Sequence, residues 1–207
     1  MEKKVIAIAG LPGSGSTTTA KLLAEKLSYN YFTIGQVFKD VSRGKLKDRF
    51  YYEDLLAICR KHNLIIPKFT NIDDTHGVSD LWKTEFGKSK EFHRVLDDLQ
   101  VELAKKGNIV IEAKLALSMN PNADIKIWLT SPIEERAKRA AQRDNLSNEE
   151  ALELVRGIQE RLSLEWKKIY GIDFFAQEEK ADIVVDTSNL PPEEISEKIL
   201  KILNNKL

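Results

Sequence analysis

The 207-residue sequence has little of several features that would place it in a specialised class. A single cysteine, Cys59, excludes an internal disulfide and a cysteine-based zinc site. The 32 basic and 32 acidic residues cancel, so we expect no nucleic acid partner. No apolar run approaches the roughly 20 residues that a membrane-spanning helix needs, so no membrane partner is expected either. The first strand follows Met1–Lys4 directly, which predicts no signal peptide and a compact cytoplasmic protein.

A segment rich in glycine and hydroxyl residues, Gly10 to Thr19, is the most informative part of the chain. It follows the apolar run Val5–Ala9 and precedes Ala20–Leu27, which has helical periodicity. This strand–loop–helix context is typical of a phosphate-binding loop, in which backbone N–H groups surround an anion at a helix N-terminus. The residues predicted to bind the phosphates are Gly10, Pro12, Gly13, Ser14, Gly15, Ser16, Thr17 and Thr18.

The loop lacks one part of the usual G-x-x-x-x-G-K-[ST] pattern. Gly10 and Gly15 fit this pattern, and Thr17 fits as the hydroxyl residue that contacts a Mg²⁺ ion. The position of the lysine is occupied by Ser16. Because phosphoryl transfer depends on positive charge around the transferring group, this charge must come from elsewhere in the chain.

Short β-branched runs alternate with helical segments along the sequence. The predicted strands are 5–9, 31–34, 108–112, 124–129 and 181–186. They lack strict alternation of apolar and polar residues, as expected for parallel strands covered on both faces. Capping sequences at Ser131–Glu134 and Ser147–Glu150, and the pair Pro191–Pro192, predict helix starts. The predicted fold class is therefore α/β, with a doubly wound five-stranded parallel sheet and ligands at the carboxyl ends of its strands.

Several motifs, in the same order, resemble the archaeal cytidylate kinase group of the nucleoside monophosphate kinases. The loop at Gly10–Thr19 is similar to that group's loop, which also lacks the lysine. Further similar segments are Gly35–Lys39, Ile111–Ala116, Ile127–Leu129 with Pro132, Tyr170–Asp173 and Asp186–Ser188. The group favours arginine where this chain has Lys39 and Lys114. The resemblance covers most of the chain except residues about 45–90, and it implies a P-loop kinase fold with a helical lid.

This resemblance also implies a reaction and a set of binding residues. The expected reaction is ATP-dependent phosphorylation of a nucleoside monophosphate, CMP or dCMP, with Mg²⁺ held by Thr17 and, through water, by Glu112. The donor base is expected near Ser188 and Asn189. The residues expected to bind the acceptor are Gly35, Lys39, Arg94 and Asp97. A monomer or a homodimer is expected.

Four basic residues are candidate catalytic groups: Arg136, Arg139, Arg143 and Lys114. The three arginines follow one another at helical spacings of three and four, so one helix face presents three guanidinium groups, which suit phosphate oxygens. Lys114 stands where the family has an arginine, and it would neutralise an acceptor phosphate without a bidentate contact. The alternatives are a solvated basic face for the arginines and a helix-capping or salt-bridged carboxylate for Glu112.

We expect one P-loop kinase domain over residues 1–207, with an acceptor-binding helical region at 36–106 and a lid region at 136–168. About 70 residues separate Phe38 from the third predicted strand, which indicates an atypical insertion at about 45–90. This insertion favours, as an alternative, a kinase for another small phosphorylated or hydroxyl acceptor. Ser16 and Lys114 favour a nucleotide-binding protein without transfer activity. Within the insertion, Asp73–His76 is expected to form a capped turn rather than a metal site.

Overall fold

The fold comes from a computed structural model, which describes residues 4–69 and 78–206, without the side chains of 78–80 and 204–206. The predicted turn at Asp73–His76 lies outside the described residues. The chain divides into two compact units. Of the described residues, the smaller unit comprises 32–69 and 78–107, and the larger comprises 4–31 and 108–206.

Five strands form one sheet, which confirms the predicted α/β class. They are β1 Val5–Gly10, β2 Asn30–Thr33, β3 Ile109–Glu112, β4 Ile125–Thr130 and β5 Ile183–Asp186, in the order β2-β3-β1-β4-β5. Parallel pairing joins β1 to both β3 and β4, and β4 to β5. In this order, the connection that follows β1 leads to β2 at one edge of the sheet. The connection that follows β3 leads to β4 on the other side of β1. The carboxyl ends of β1 and β3 therefore flank a crevice of the kind in which open α/β sheets bind ligands.

Ten α-helices are present in the described part of the chain. They are α1 Ser16–Leu27, α2 Ile34–Arg43, α3 Tyr52–Lys61, α4 Val78–Lys83, α5 Glu85–Lys88, α6 Lys90–Lys106, α7 Ala116–Met119, α8 Ile133–Asp144, α9 Asn148–Tyr170 and α10 Pro192–Lys206. Two 3-10 helices lie at Leu46–Asp48 and Phe175–Lys180. None of these helices is long and apolar enough to cross a membrane.

The core of the larger unit lies between the sheet and the helices α1 and α10. Its buried members include Ile6, Ile8, Leu23, Ile127, Leu129, Ile195, Ile199 and Leu203. The last three residues recur at helical spacing and form the buried face of α10, and Ile202 is partly buried beside them. This packing anchors both the start of the glycine loop, at the end of β1, and the helix that follows it.

The helices α8 and α9 pack on each other through small side chains, among them Ala137, Ala140 and Ala151. The capping box predicted at the start of α9 is confirmed: Glu150 N donates to Ser147 Oγ at 3.2 Å, and Ser147 N donates to Glu150 Oε2 at 2.9 Å. The cap predicted at Ser131 is wrong. Pro132 occupies the N-cap position of α8 in an extended conformation, so the helix begins one residue later than predicted.

The described part of the predicted insertion contains the 3-10 helix at Leu46–Asp48 and the helices α3, α4 and α5, and its residues 64–69 are not helical. A buried carboxylate, Asp40 on α2, accepts hydrogen bonds from Arg49 Nε and Nη2, both at 2.6 Å, and from Tyr51 Oη at 2.8 Å. Burial and the bond to Asp40 raise the pKa of Tyr51 above its ordinary value, so the phenol stays a donor. This network ties the segment before α3 to α2. An aromatic cluster joins α2, α4, α5 and α6. Its members are Phe38, Trp82, Phe86, Phe92 and His93.

Candidate active site

The glycine loop after β1 is shaped by three glycines that serve different purposes. Gly13 and Gly15 have φ values of +83° and +88°, in the left-handed region that favours glycine. At Gly10 the reason is space, since an added Cβ would lie 2.5 Å from the carbonyl oxygen of Leu129 and 2.7 Å from Ser14 Oγ. Gly15 is the N-cap of α1, so the loop leads directly into a helix N-terminus. This local structure agrees with the phosphate-binding geometry that the sequence predicts.

Three consecutive carbonyl oxygens of the loop are bound by side chains of the same unit. Arg136 Nη1 donates to Pro12 O at 3.0 Å, and Arg139 Nη1 donates to Gly13 O at 3.4 Å. Thr187 Oγ1 donates to Ser14 O at 2.9 Å. Because C=O and N–H point in opposite directions in a peptide, these bonds hold the following amide groups toward the other side. That orientation is the one an anion-binding loop requires.

A cavity of about 610 Å³ opens in front of the loop. Its walls are Pro12–Thr18, Lys114, Arg139, Ala140, Arg143, Leu154, Val155, Ile158, Leu190, Pro191, Pro192 and Ile195. The loop amides and the three cationic side chains lie in its polar part, whereas residues of α9, α10 and the segment before α10 supply an apolar part. A nucleoside triphosphate has matching chemistry, because it combines a polyanion with a flat, largely apolar base.

Two of the predicted arginines line this cavity. Arg139 Nη1 donates to Thr187 Oγ1 at 3.0 Å, and Arg139 Nη2 donates to the carbonyl oxygens of Thr187 and Ser188. Arg143 bonds through Nε to Asp144 Oδ1 at 2.8 Å and through Nη2 to Oδ2 at 2.5 Å. Arg139 is therefore fixed by backbone carbonyls, and Arg143 carries an exposed carboxylate partner.

The third arginine of the predicted set, Arg136, is not among the residues that line the cavity. Only 3% of its surface is exposed. Besides Pro12 O, its guanidinium donates to Ser131 O at 2.9 Å and to Gln159 Oε1 at 3.0 Å. Burial lowers the pKa of Arg136, but an arginine remains charged at working pH. The side chain joins the loop, the start of α8 and α9.

The substitution Arg136→Met should therefore act on stability. It leaves the oxygens of Pro12, Ser131 and Gln159 without their donor, and we expect the free energy of unfolding to fall by about 3 kcal/mol. Urea unfolding measures this loss. The matched control is Arg156→Met, at an exposed position on α9, which should change stability by less than about 0.5 kcal/mol. A fully stable Arg136→Met protein that lacks only transfer activity would instead return Arg136 to the predicted phosphate-contact role.

Ser16, Glu112 and Lys114 lie together where the carboxyl ends of β1 and β3 meet. Ser16 Oγ donates to Glu112 Oε1 at 3.1 Å, and both residues are buried. Lys114 is half-buried on the cavity wall. Desolvation lowers the pKa of its ammonium, and the charge of Glu112 opposes this shift. The hydroxyl at the lysine position of the loop therefore points at a carboxylate, and the cation Lys114 comes from the turn that follows β3.

The oxygen ligands available to a metal fit the preferences of Mg²⁺. Among the described side chains, those of residues 4–69 and 81–203, no group of three or more His, Cys, Asp or Glu is placed to hold a metal ion. Thr17 is exposed on the cavity wall, and Glu112 has one oxygen bonded to Ser16. Mg²⁺ usually takes one or two protein oxygens together with substrate phosphates and waters. The hydroxyl of Thr17 and the carboxylate of Glu112 meet that small requirement.

Two side chains that the sequence argument did not assign to the site support its backbone. Thr187 is fully buried and bridges Arg139 to the loop. Gln177 is also fully buried, and its Nε2 donates to Lys114 O at 2.5 Å. Thr187 lies inside the Asp186–Ser188 motif, so the motif carried a signal for it. Gln177 has no sequence signal, because its partner is a backbone carbonyl 63 residues away.

The residues predicted to lie near the donor base belong to the larger unit, and those predicted to bind the acceptor belong to the smaller unit. Ser188 and Asn189 are not on the cavity wall, which instead uses the next residues, Leu190–Pro192. Ser188 N and Oγ bond to Asp186 Oδ1, and its carbonyl accepts from Arg139. In the smaller unit, the predicted acceptor residues lie on two helices. Gly35 and the half-buried Lys39 are on α2, and the exposed Arg94 and half-buried Asp97 are on α6.

Known proteins resemble this chain over nearly its whole length. The cytidylate kinase of Ignicoccus hospitalis is 35% identical over 201 residues, which cover 96% of this chain and 98% of that protein. The cytidylate kinase of Pyrococcus horikoshii is 31% identical, with coverage of 93% and 84%. The cytidylate kinase of Methanocaldococcus jannaschii is 28% identical, with coverage of 97% and 98%.

Solved structures support the fold at lower identity. Shikimate kinase from Acinetobacter baumannii superimposes with a TM-score of 0.53 at 19% identity, covering 99% of this chain and 96% of that one. Shikimate kinase from Bacteroides thetaiotaomicron gives a TM-score of 0.55 at 14% identity, with coverage of 98% and 99%. At these identities the likeness concerns the fold alone. A sequence model described as the cytidylate kinase-like family matches residues 5–189. The chain, with its lysine-free phosphate loop, belongs to the cytidylate kinase-like family.

Proposed function

We propose that this protein is a nucleoside monophosphate kinase that transfers the γ-phosphoryl group of ATP to CMP or dCMP. The observation that carries the proposal is the cavity in front of the glycine loop, which joins backbone amides, three cations and an apolar wall. The family membership and the names of the archaeal relatives supply the acceptor.

The donor nucleotide would lie along this cavity. Its phosphates would bind the N–H groups of residues 13–18 at the start of α1, where the helix dipole favours negative charge. The base would lie against the apolar wall made by Leu154, Ile158 and the Leu190–Pro192 segment. Arg139 binds Gly13 O of the loop and the carbonyls of Thr187 and Ser188, which come just before that segment, so it would set the distance between the phosphate and base subsites.

The reaction needs no covalent enzyme intermediate. An oxygen of the CMP phosphate attacks the γ-phosphorus in line, and the bond to the leaving ADP oxygen breaks, which yields CDP and ADP. Arg143 and Lys114 would neutralise the charge that develops on the transferring group. A Mg²⁺ ion held by Thr17 and, through water, by Glu112 would neutralise further phosphate charge. Gly35, Lys39, Arg94 and Asp97 are the residues that we propose for the acceptor.

A screen of acceptors tests the proposal. The full chain is incubated with ATP, Mg²⁺ and, separately, CMP, dCMP, UMP, AMP, GMP and shikimate, and the nucleotides are separated by ion-exchange chromatography. We expect CDP from CMP, with kcat/KM for CMP at least about 10-fold above that for AMP or GMP, which corresponds to about 1.4 kcal/mol of transition-state discrimination. Phosphorylation of shikimate alone, or of no acceptor at all, would contradict it.

A further inference from the structure

The phosphate loop of this protein contains no cationic side chain. The residue at the usual lysine position, Ser16, is buried, and its hydroxyl donates to Glu112. In a P-loop with the usual pattern, the lysine at this position reaches the β- and γ-phosphates of the donor. A donor bound here would therefore lack that contact unless another side chain supplies an ammonium at the same place.

The cations on the cavity wall differ in what already binds them. Arg139 is engaged by backbone carbonyls on both sides, from Gly13 and from the segment after β5. Arg143 carries Asp144 as a bidentate partner. Lys114 interacts electrostatically with Glu112, the same carboxylate that binds Ser16. Lys114 and Ser16 line the same cavity, and the Glu112 carboxylate acts on both of them.

The backbone explains why Lys114 lines the same cavity as the loop. Parallel pairing places Glu112 beside Ile8, and Ala113 N donates to Ile8 O at 3.3 Å, so the chain after β3 runs along the end of β1. The crevice between these two strands is the point at which the connections between strands switch from one side of the sheet to the other. Gln177 Nε2 holds the carbonyl oxygen of Lys114 at 2.5 Å, which fixes the backbone from which the side chain extends.

We propose that Lys114 takes the place of the missing loop lysine, so that its ammonium binds the β- and γ-phosphate oxygens of the donor nucleotide. This assignment rests on the proposed phosphotransferase function, and it differs from the acceptor-phosphate role that the family resemblance suggested for this position. In the usual pattern the lysine lies in the first turn of α1. In this protein the site keeps one lysine, but it lies just after the end of β3.

An exchange of the lysine between the two positions tests this assignment. The readouts are the dissociation constants of a non-hydrolysable ATP analogue with Mg²⁺ and of CMP, each titrated alone by calorimetry. We expect Lys114→Met to weaken binding of the ATP analogue at least about 10-fold and to leave CMP binding unchanged, because loss of a charge-assisted phosphate contact costs at least that factor. Adding Ser16→Lys to Lys114→Met should restore most of the affinity, because an ammonium returns to the same cavity at the usual lysine position of the loop.

Two control variants separate charge from side-chain size and from general electrostatics. Ser16→Met in the Lys114→Met background supplies a chain of similar bulk without charge, and it should restore nothing. Lys21→Met removes an exposed lysine from α1 that does not line the cavity, and it should not change either affinity. If Lys114→Met does not fold, as judged by its circular dichroism melt, the same titrations are made with Lys114→Gln, alone and combined with Ser16→Lys.

The outcomes distinguish this assignment from the proposed function. Weaker CMP binding with unchanged affinity for the ATP analogue would make Lys114 an acceptor residue and overturn the assignment. Failure of Ser16→Lys to restore donor affinity would also overturn it. A wild-type protein that binds the ATP analogue but phosphorylates no nucleoside monophosphate would contradict the proposed CMP kinase activity, and the donor affinities would still decide the role of Lys114.

Discussion

Replacing Arg143 by alanine is expected to lower kcat for CMP phosphorylation about 100-fold and to change the free energy of unfolding by less than about 0.5 kcal/mol. Arg143 lines the cavity near the end of α8, and two-thirds of its side chain is exposed. Its resting partner, Asp144, forms an exposed ion pair of the kind that contributes only about 0–1 kcal/mol. Phosphate oxygens can therefore replace Asp144 at little cost when the donor binds.

Steady-state kinetics with ATP and CMP measure kcat, and urea unfolding measures stability. Arg156→Ala, which removes an exposed arginine of α9 that does not line the cavity, is the matched control and should retain full kcat. Asp144→Asn removes the resting partner but keeps the guanidinium, so it should retain kcat as well. An Arg143→Ala enzyme with wild-type kcat would assign Arg143 to the solvated face that the sequence left as an alternative.

The three arginines show what helical spacing can and cannot predict. Positions 136, 139 and 143 do share one side of α8, as the spacing of three and four indicates. Spacing does not show how deeply each turn of the helix is buried. Arg136 lies in the first turn, next to Gly13, where an added Cβ on the glycine would be 3.0 Å from the Cβ of Arg136. This packing buries its guanidinium against carbonyls, whereas the turns at 139 and 143 reach the cavity.

The strands and the glycine loop were predictable because their signals are local. A β-branched run, the glycines at the left-handed positions of the loop and the capping box Ser147–Glu150 can each be recognised from neighbouring residues alone. The cap at Ser131 failed for a local reason as well, because Pro132 adopts the extended conformation of the N-cap and displaces the helix start to Ile133.

The contacts that hold the site together were not predictable, because they join distant segments. Thr187 meets the loop across 173 residues, and Gln177 meets the backbone of Lys114 across 63. The role proposed here for Lys114 depends on the pairing of β3 with β1, which the order of strands along the chain does not reveal. Family resemblance supplied the position of the residue, but only the sheet order placed it beside the loop.

Replacing Gly15 by valine is expected to raise the dissociation constant for ATP at least about 100-fold. Gly15 has φ of +88°, and an added Cβ would meet no protein atom within 4 Å. The space beside it belongs to the cavity in front of the loop, where we place the donor phosphates. A branched side chain there would exclude a phosphate group and distort the amides that bind it. Calorimetric titration with an ATP analogue measures the loss.

Gly44 provides a control that separates this effect from backbone strain. It also has a positive φ, +65°, and an added Cβ there would also meet nothing within 4 Å. It ends α2 in the smaller unit and is not one of the residues that line the cavity. Gly15→Val and Gly44→Val should both lose about 1–2 kcal/mol of stability, because each forces a branched residue into the left-handed region. Only Gly15→Val should lose nucleotide binding. Equal ATP affinity in both variants would mean that the open space beside Gly15 is not the phosphate site, and the assignment of the loop would be wrong.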